Sequence, residues 1–218
     1  ITTEDGSHSL FDEKLNETYH STRGARGESI HVFIKEGLEY WCSQNEVDEI
    51  RILEVGLGTG LNAFLTAQFA EQQNQKIHFT SLEPFPIKKE IYEHLNYHET
   101  ESEHQLLMRI HEAEWEKEAE ISQNFTLQKA ATNLEHYAYS KPFNLIYFDA
   151  PRRMLVEPDF WGGLWDWYAW GYEDCASAEV EVVTSYARTE RRRDYEPLPY
   201  SDQDLARFGY FRTERYVY

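Results

Sequence analysis

Two cysteines, Cys42 and Cys175, are the only thiols in this chain of 218 residues. They share no metal-ligand spacing with each other or with the nine histidines, so no metal centre is expected and both read as buried or incidental thiols. Long apolar runs are missing too, which excludes a membrane-spanning helix. The opening Ile1-Thr2-Thr3-Glu4-Asp5 has neither the basic start nor the apolar stretch of a signal peptide, so a soluble cytoplasmic protein is expected. Positive charge is scarce, with 21 Lys and Arg against 39 Asp and Glu and a formal net charge of −18. Phosphate contacts need clustered cations, so the balance weighs against nucleic acid over the chain as a whole. A local exception is the knot Arg188, Arg191, Arg192 and Arg193, while the acids crowded between positions 90 and 120 read as a solvated helix face.

What the chain does have is a glycine turn. Ile50-Arg51-Ile52-Leu53 is an apolar strand, Glu54-Val55-Gly56-Leu57-Gly58-Thr59-Gly60-Leu61-Asn62 a tight turn, and Ala63-Phe64-Leu65-Thr66-Ala67 the start of a helix. Alternate glycines let a ligand approach the backbone where a helix start offers its N–H groups. A P-loop would end in Gly-Lys-Ser/Thr, yet Leu61 and Asn62 follow the last glycine here. The dinucleotide pattern G-x-G-x-x-G fails because position 61 is Leu. What remains is the E/D-x-G-x-G-x-G turn of class I methyltransferases, which also requires an acid at the tip of the next strand. Glu83 meets that requirement, directly after the strand-like run 76–82. A carboxylate there can accept both hydroxyls of a ribose.

The flanking pattern gives an α/β fold of Rossmann-like, class I methyltransferase type, with a mostly parallel, doubly wound sheet. Residues 1–27 read as an irregular or hairpin-forming arm and 28–218 as the methyltransferase domain. An amphipathic helix runs from Glu28 through Ile30, Phe33, Ile34, Leu38 and Trp41. Then follow a strand at 50–55, a helix at 60–73, a strand at 76–82 and a helix at 87–95. Charged helices at 101–121, a strand at 125–128, a helical stretch at 132–139 and a strand at 143–148 come next. A fifth strand is expected at 179–186, and a C-terminal antiparallel hairpin in the tail after Phe208. The segment Phe160–Tyr172 holds four of the six tryptophans, as a buried helix or as a stacking surface for a flipped base.

Asp149 ends the strand at 143–148 and shares a sheet edge with Glu54 and Glu83. In an in-line methyl transfer to an amine, a fixed acceptor can orient the nitrogen lone pair and take or relay its proton. Asp149 suits that role, and Asp149-Ala150-Pro151 is loosely similar to the Asp/Asn-Pro-Pro-aromatic segment of amine methyltransferases.

A more specific resemblance lies in a series of motifs. Glu17-Thr18-Tyr19-His20-Ser21, Glu28-Ser29 with His31-Val32-Phe33, the glycine turn, Asp149-Ala150 and Pro158-Asp159-Phe160-Trp161 occur in order. Together they resemble the methyltransferase domain, and its stand-alone relatives, of the bacterial bifunctional enzyme that completes 5-methylaminomethyl-2-thiouridine at the tRNA wobble position. The resemblance implies S-adenosylmethionine as cofactor and the exocyclic amine of 5-aminomethyl-2-thiouridine in tRNA as substrate. It implies that Glu54, Gly56, Gly58, Thr59, Gly60, Asn62 and Glu83 hold the cofactor, that Asp149 faces the amine, and that Tyr19 covers the cofactor or target base. Pro151, Trp161 and Arg188 are expected on the substrate side, and a separate FAD-dependent oxidase as partner. The chain departs from the family where Ala150 runs straight into Pro151-Arg152-Arg153 without the expected aromatic residue, and where a Pro-Gly-Gly and a basic Gly-Pro-Pro-Gly-Lys-Arg-like segment are missing. A methyltransferase for a small-molecule or protein amine fits the negative charge, and a non-catalytic cofactor-binding module fits the missing ring.

Overall fold

The computed structural model describes residues 1–13 and 16–149, together with the backbone of a strand at Glu181–Thr184. The arm begins with two short antiparallel strands, β1 (Phe11–Asp12) and β2 (Glu17–Thr18). A continuous helical stretch follows, built from α1 (Ala25–Ser29), a π-helical segment Ile30–Glu39 and α2 (Tyr40–Gln44). It starts at Ala25, three residues before the expected Glu28. Its inward residues Phe33, Ile34, Leu38 and Trp41 are buried, as their spacing predicts.

The central sheet has six strands. They are β3 (Glu49–Val55), β4 (Lys76–Leu82), β5 (Glu118–Glu120), β6 (Phe125–Ala130), β7 (Leu145–Phe148) and β8 (Glu181–Thr184). Their order is β5-β6-β4-β3-β7-β8, parallel throughout except for β5, which runs antiparallel to β6 at one edge. Helix α3 (Leu61–Gln73) links β3 to β4 and is buried on almost every side, since Leu61 to Ala67, Phe69 and Ala70 are all covered. Helix α5 (Glu101–Glu112) begins at a capping box, where Thr100 accepts from the Glu103 N–H and Glu103 reaches back to the Thr100 N–H.

Strand alternation divides the interior in two. Ile50, Ile52, Ile77, Phe79, Phe125, Leu127, Leu145 and Tyr147 join the main core, which Phe33, Phe64, Leu107 and Ile110 complete from the helices. Leu53, Val55, Leu82, Ala130, Ile146 and Phe148 face the opposite way, onto Leu134 and Phe143. Burial on both faces suits central parallel strands and explains why β3 and β7 read as near-continuous apolar runs.

Four local expectations change. The helix at 87–95 is reduced to α4 (Lys89–Tyr92), because Pro84 and Pro86 hold the preceding backbone extended and few apolar contacts reward a longer helix. The charged helix at 101–121 stops at Glu112, and Glu116 adopts a left-handed φ of 62°. Glu118-Ala119-Glu120 then pairs as the edge strand, with the partly buried Ala119 opposite Leu127. The acids at 101 and 112 do lie on a solvated helix face, whereas those at 118 and 120 decorate a strand. In place of a helix at 132–139 there is one 3₁₀ turn, Leu134–His136. Strand β6 extends to Ala130, and β7 begins at Leu145 rather than Phe143. Strand β8 lies inside the expected 179–186. The tryptophan-rich segment, Cys175, the arginine knot and the C-terminal hairpin fall outside the described residues. Among the described residues no helix is long and apolar enough to cross a membrane.

Candidate functional site

The C-terminal ends of β3, β4, β6 and β7 form one edge, and there the chain concentrates its buried polar groups. Gly56, Gly58 and Gly60 all have positive φ, at 97°, 50° and 73°. At two of them space is as decisive as torsion. A Cβ on Gly58 would stand 3.2 Å from Tyr19 Cδ1, and one on Gly60 would stand 3.0 Å from His111 Nε2. The turn is therefore gripped by the Tyr19 ring on one side and by the His111 imidazole on the other.

The arm brings Tyr19 to this place through a chain of hydrogen bonds. Asp5 accepts from Ser7 N and Oγ, from Thr3 Oγ1 and from Gly27 N, fastening the arm to α1. These bonds outweigh the upward push of burial and hold the Asp5 carboxyl down at about 2. His8 N donates to Asn96 Oδ1 at 2.7 Å, and Tyr97 Oη donates to the His8 carbonyl. His20 follows Tyr19 into the interior, where it lies between Ser9 Oγ and Thr59 Oγ1. Burial lowers its pKa to about 4, so the imidazole is neutral at pH 7.

On the other flank, His111 Nε2 donates to the Thr59 carbonyl at 3.0 Å, and its ring stacks on Tyr92 with centroids 4.3 Å apart. Burial brings its pKa to about 4 as well.

Three carboxylates converge at the turn. Glu83 is buried, and its oxygens accept from Gly58 N at 3.0 Å and Phe85 N at 2.9 Å, one bond to each oxygen. Each oxygen keeps a second lone pair for a further donor. Asp149 Oδ2 accepts from Asn62 Nδ2 at 2.9 Å, which ties the end of β7 to the first turn of α3. Glu54 is fully buried and accepts from Ser81 Oγ through Oε2. Its Oε1 and the Asn62 Oδ1 have no hydrogen-bond partner among the described residues. Burial above all pushes the Glu54 carboxyl well above its usual range, and Asp149 and Glu83 push it further, against the pull of the Ser81 hydroxyl and the Asn62 amide. Orphaned acceptors beside like charges form a site for a cationic donor such as an ammonium group.

The structure thus brings together Glu54, Gly56, Gly58, Thr59, Gly60, Asn62, Glu83, Asp149 and Tyr19. Thr59 turns its hydroxyl toward His20 Nε2 at 3.5 Å. Pro151, Trp161 and Arg188 lie outside the described residues. No group of three or more His, Cys, Asp or Glu among the described residues is arranged to hold a metal ion.

One feature of the site is absent from the sequence reading. Register pairs Tyr147 with Glu54, Glu54 with Ser81, and Ser81 with Lys129, so these four buried side chains form a polar row across β7, β3, β4 and β6. Lys129 was legible from the alternation of β6, where it shares the inward face of Phe125 and Leu127. His20 and His111 carried no such signal.

The chain is similar to known proteins. A chain titled MNMC2 from Aquifex aeolicus superposes with a TM-score of 0.53 at 25% identity, covering 69% of this chain and 48% of that one. The tRNA 5-methylaminomethyl-2-thiouridine biosynthesis bifunctional protein MnmC of Campylobacter concisus is 37% identical over 89 residues, 39% of this chain. Its counterpart from Idiomarina loihiensis is 34% identical over 133 residues, 59% of this chain. The chain is related to the MnmC methyltransferase domain. It spans only 14% and 18% of the length of those two MnmC proteins, so the relation concerns the domain and not the whole bifunctional chain. No protein-family model matches it. The similarity agrees with the Rossmann-like, mostly parallel sheet.

Proposed function

We propose that this MnmC-type domain is a cytoplasmic, S-adenosylmethionine-dependent N-methyltransferase. Its substrate would be the aminomethyl group of 5-aminomethyl-2-thiouridine at the tRNA wobble position. The observation that carries the reading is the pair of orphaned acceptors, Glu54 Oε1 and Asn62 Oδ1, beside the glycine turn, with Glu83 and Asp149 two residues further along the strands that flank Glu54. The names of the related MnmC proteins supply the tRNA nucleoside.

In this reading Glu54 and Asn62 receive the ammonium of the cofactor's methionine half, and Glu83 receives the ribose hydroxyls through its remaining lone pairs. Gly58 lets the cofactor lie against the backbone, with Tyr19 as its cover. Bound S-adenosylmethionine supplies an electrophilic methyl carbon. Asp149 accepts a hydrogen bond from the substrate amine, which directs the nitrogen lone pair and gives the departing proton a receiver. Asn62 fixes the carboxylate for that task by holding Oδ2. A fixed acceptor at a strand tip loses little freedom when the amine docks. An FAD-dependent oxidase, as partner or as a further domain, would expose the aminomethyl group.

The test is transfer of labelled methyl from S-adenosylmethionine to undermodified tRNA. Wild-type protein labels tRNA, and Asp149→Ala loses at least a hundredfold in rate while still binding S-adenosylhomocysteine. Labelling of a free amine but not tRNA would reassign the substrate to a small molecule, which the net charge of −18 favours. Cofactor binding with no labelling of any amine would make the domain a non-catalytic module.

A further inference from the structure

Lys129 occupies an unusual position for a lysine. It is 1% exposed, on the inward face of β6, and forms no ion pair among the described residues. Its ammonium donates to the His111 carbonyl at 2.6 Å and stands 4.7 Å from the centroid of the Trp115 ring. One carbonyl and one aromatic face leave hydrogen-bonding capacity in a group that has three N–H donors. Burying an ammonium without a carboxylate is costly, and burial lowers its pKa to about 8.

Lys129 lines a cavity of about 140 Å³ together with His111 and Trp115, the two residues its ammonium touches. Leu57, Pro86, Ile87 and Trp115 give it apolar walls, while Lys129 and His111 give it polar ones. Gly58 and Glu83 also line it, so the cavity reaches the place where the glycine turn meets the Glu83 carboxylate. An apolar slot with one buried donor suits a flat heteroaromatic ring that carries acceptor nitrogens.

Register supplies a second, independent constraint. Glu54 and Lys129 flank Ser81 on either side, hence they lie two strand spacings apart, roughly 10 Å. One end of the row is an acidic receptor and the other a basic donor, with Glu83 above. A ligand with an ammonium at one end, a ribose in the middle and a purine at the other matches that order.

We propose that Lys129 is a specificity-determining residue, donating a hydrogen bond to a ring nitrogen of the purine whose ribose Glu83 accepts. This inference rests on the S-adenosylmethionine reading above. Lys129→Met keeps the unbranched stem and removes the donor. Calorimetry with 5′-methylthioadenosine, which has the base and ribose but no amino acid, should show roughly ten- to a hundredfold weaker binding to the variant.

A measurement on the wild-type protein does not depend on the variant folding. Affinity should fall as pH rises past about 8 and the ammonium discharges, and this dependence should vanish in Lys129→Met. The other titratable groups facing the ammonium are His111 from α5, Tyr92 from α4 and Glu83 from the tip of β4, and the variant retains all three. Equal affinity and an unchanged pH profile in Lys129→Met would overturn the assignment of Lys129 and leave the cofactor reading intact. Failure of the wild type to bind either 5′-methylthioadenosine or S-adenosylhomocysteine would overturn both.

Discussion

Replacing Glu54 with Gln should make the ligand-free protein more stable and the domain a poorer binder of its cofactor. Glu54 is fully buried, with Ser81 on one oxygen and no partner on the other among the described residues. An unsatisfied buried acceptor costs about 1–3 kcal/mol, more when it is charged. The amide of Gln keeps an oxygen for Ser81 and carries no charge to be buried beside Asp149 and Glu83. For a domain of this size each kcal/mol is worth about 2–4 °C, which places the expected rise in Tm at roughly 2 to 12 °C at pH 8.

The effect must depend on pH, with a fixed sign. The folded-state pKa of Glu54 is raised well above the usual 4.5, so between that value and the raised one the folded protein keeps a proton that the unfolded chain has released. Wild-type stability from this group is complete below about 4.5 and is lost as pH rises through the folded pKa. The gap between Glu54→Gln and wild type should accordingly widen from pH 5 to pH 8. Losing the carboxylate should also weaken S-adenosylhomocysteine binding roughly ten- to a hundredfold, the worth of a charge-assisted hydrogen bond. Scanning fluorimetry at the two pH values and calorimetry at pH 8 read both effects. A variant that melts at or below wild type at pH 8 would refute the reasoning, since Glu54 would then have a stabilising partner.

Two further substitutions probe how the turn is held. Gly60→Ala should lose at least 1–2 kcal/mol, because φ of 73° disfavours any Cβ and the imidazole 3.0 Å away is backed by Tyr92; urea unfolding with an unchanged m-value checks this. Asp5→Ala should loosen the arm at pH 7, seen as faster proteolysis between residues 1 and 24 and weaker cofactor binding. Because the Asp5 pKa is lowered to about 2, its contribution is present above about 3.8 and fades as pH falls through 2, so the two proteins should behave alike only in strong acid.

The elements that the sequence placed well are those whose pattern has a single physical solution. Ile50 to Val55 and Leu145 to Phe148 are central parallel strands, and no helix of such brevity could bury all but Arg51 on both sides. The glycine turn is equally constrained, since three positive φ values in five residues permit few other side chains. The misplacements fall where competing interactions are weak. Glu112 to Glu120 has helical composition and almost no apolar periodicity, so the outcome turned on tertiary pairing of Ala119 with Leu127, which local propensity does not register. Residues 87–95 and 132–139 fail as helices for a related reason. Each is flanked by proline or asparagine turn chemistry and has too few inward apolar residues to reward another turn.

The site divides along the same line. Acids at strand tips are legible because parallel topology delivers every strand end to one edge, and Glu54, Glu83 and Asp149 needed nothing more. What the sequence could not announce is charge balance, which depends on neighbours far apart in the chain. Alternation sets Lys129 on the inward face with Phe125 and Leu127, but only register sets it beside Ser81 and two strands from Glu54. His111 has no marking in the sequence, and only α5 delivers it, 52 positions away, to the Thr59 carbonyl. Seen together, these contacts give the edge an acidic end and a basic end separated by a hydroxyl, and that polarity is what a glycine turn alone lacks. In the proposed reading that polarity would orient the ligand along the sheet edge, so the reacting end would lie beside Asp149 and Tyr19 rather than over Trp115.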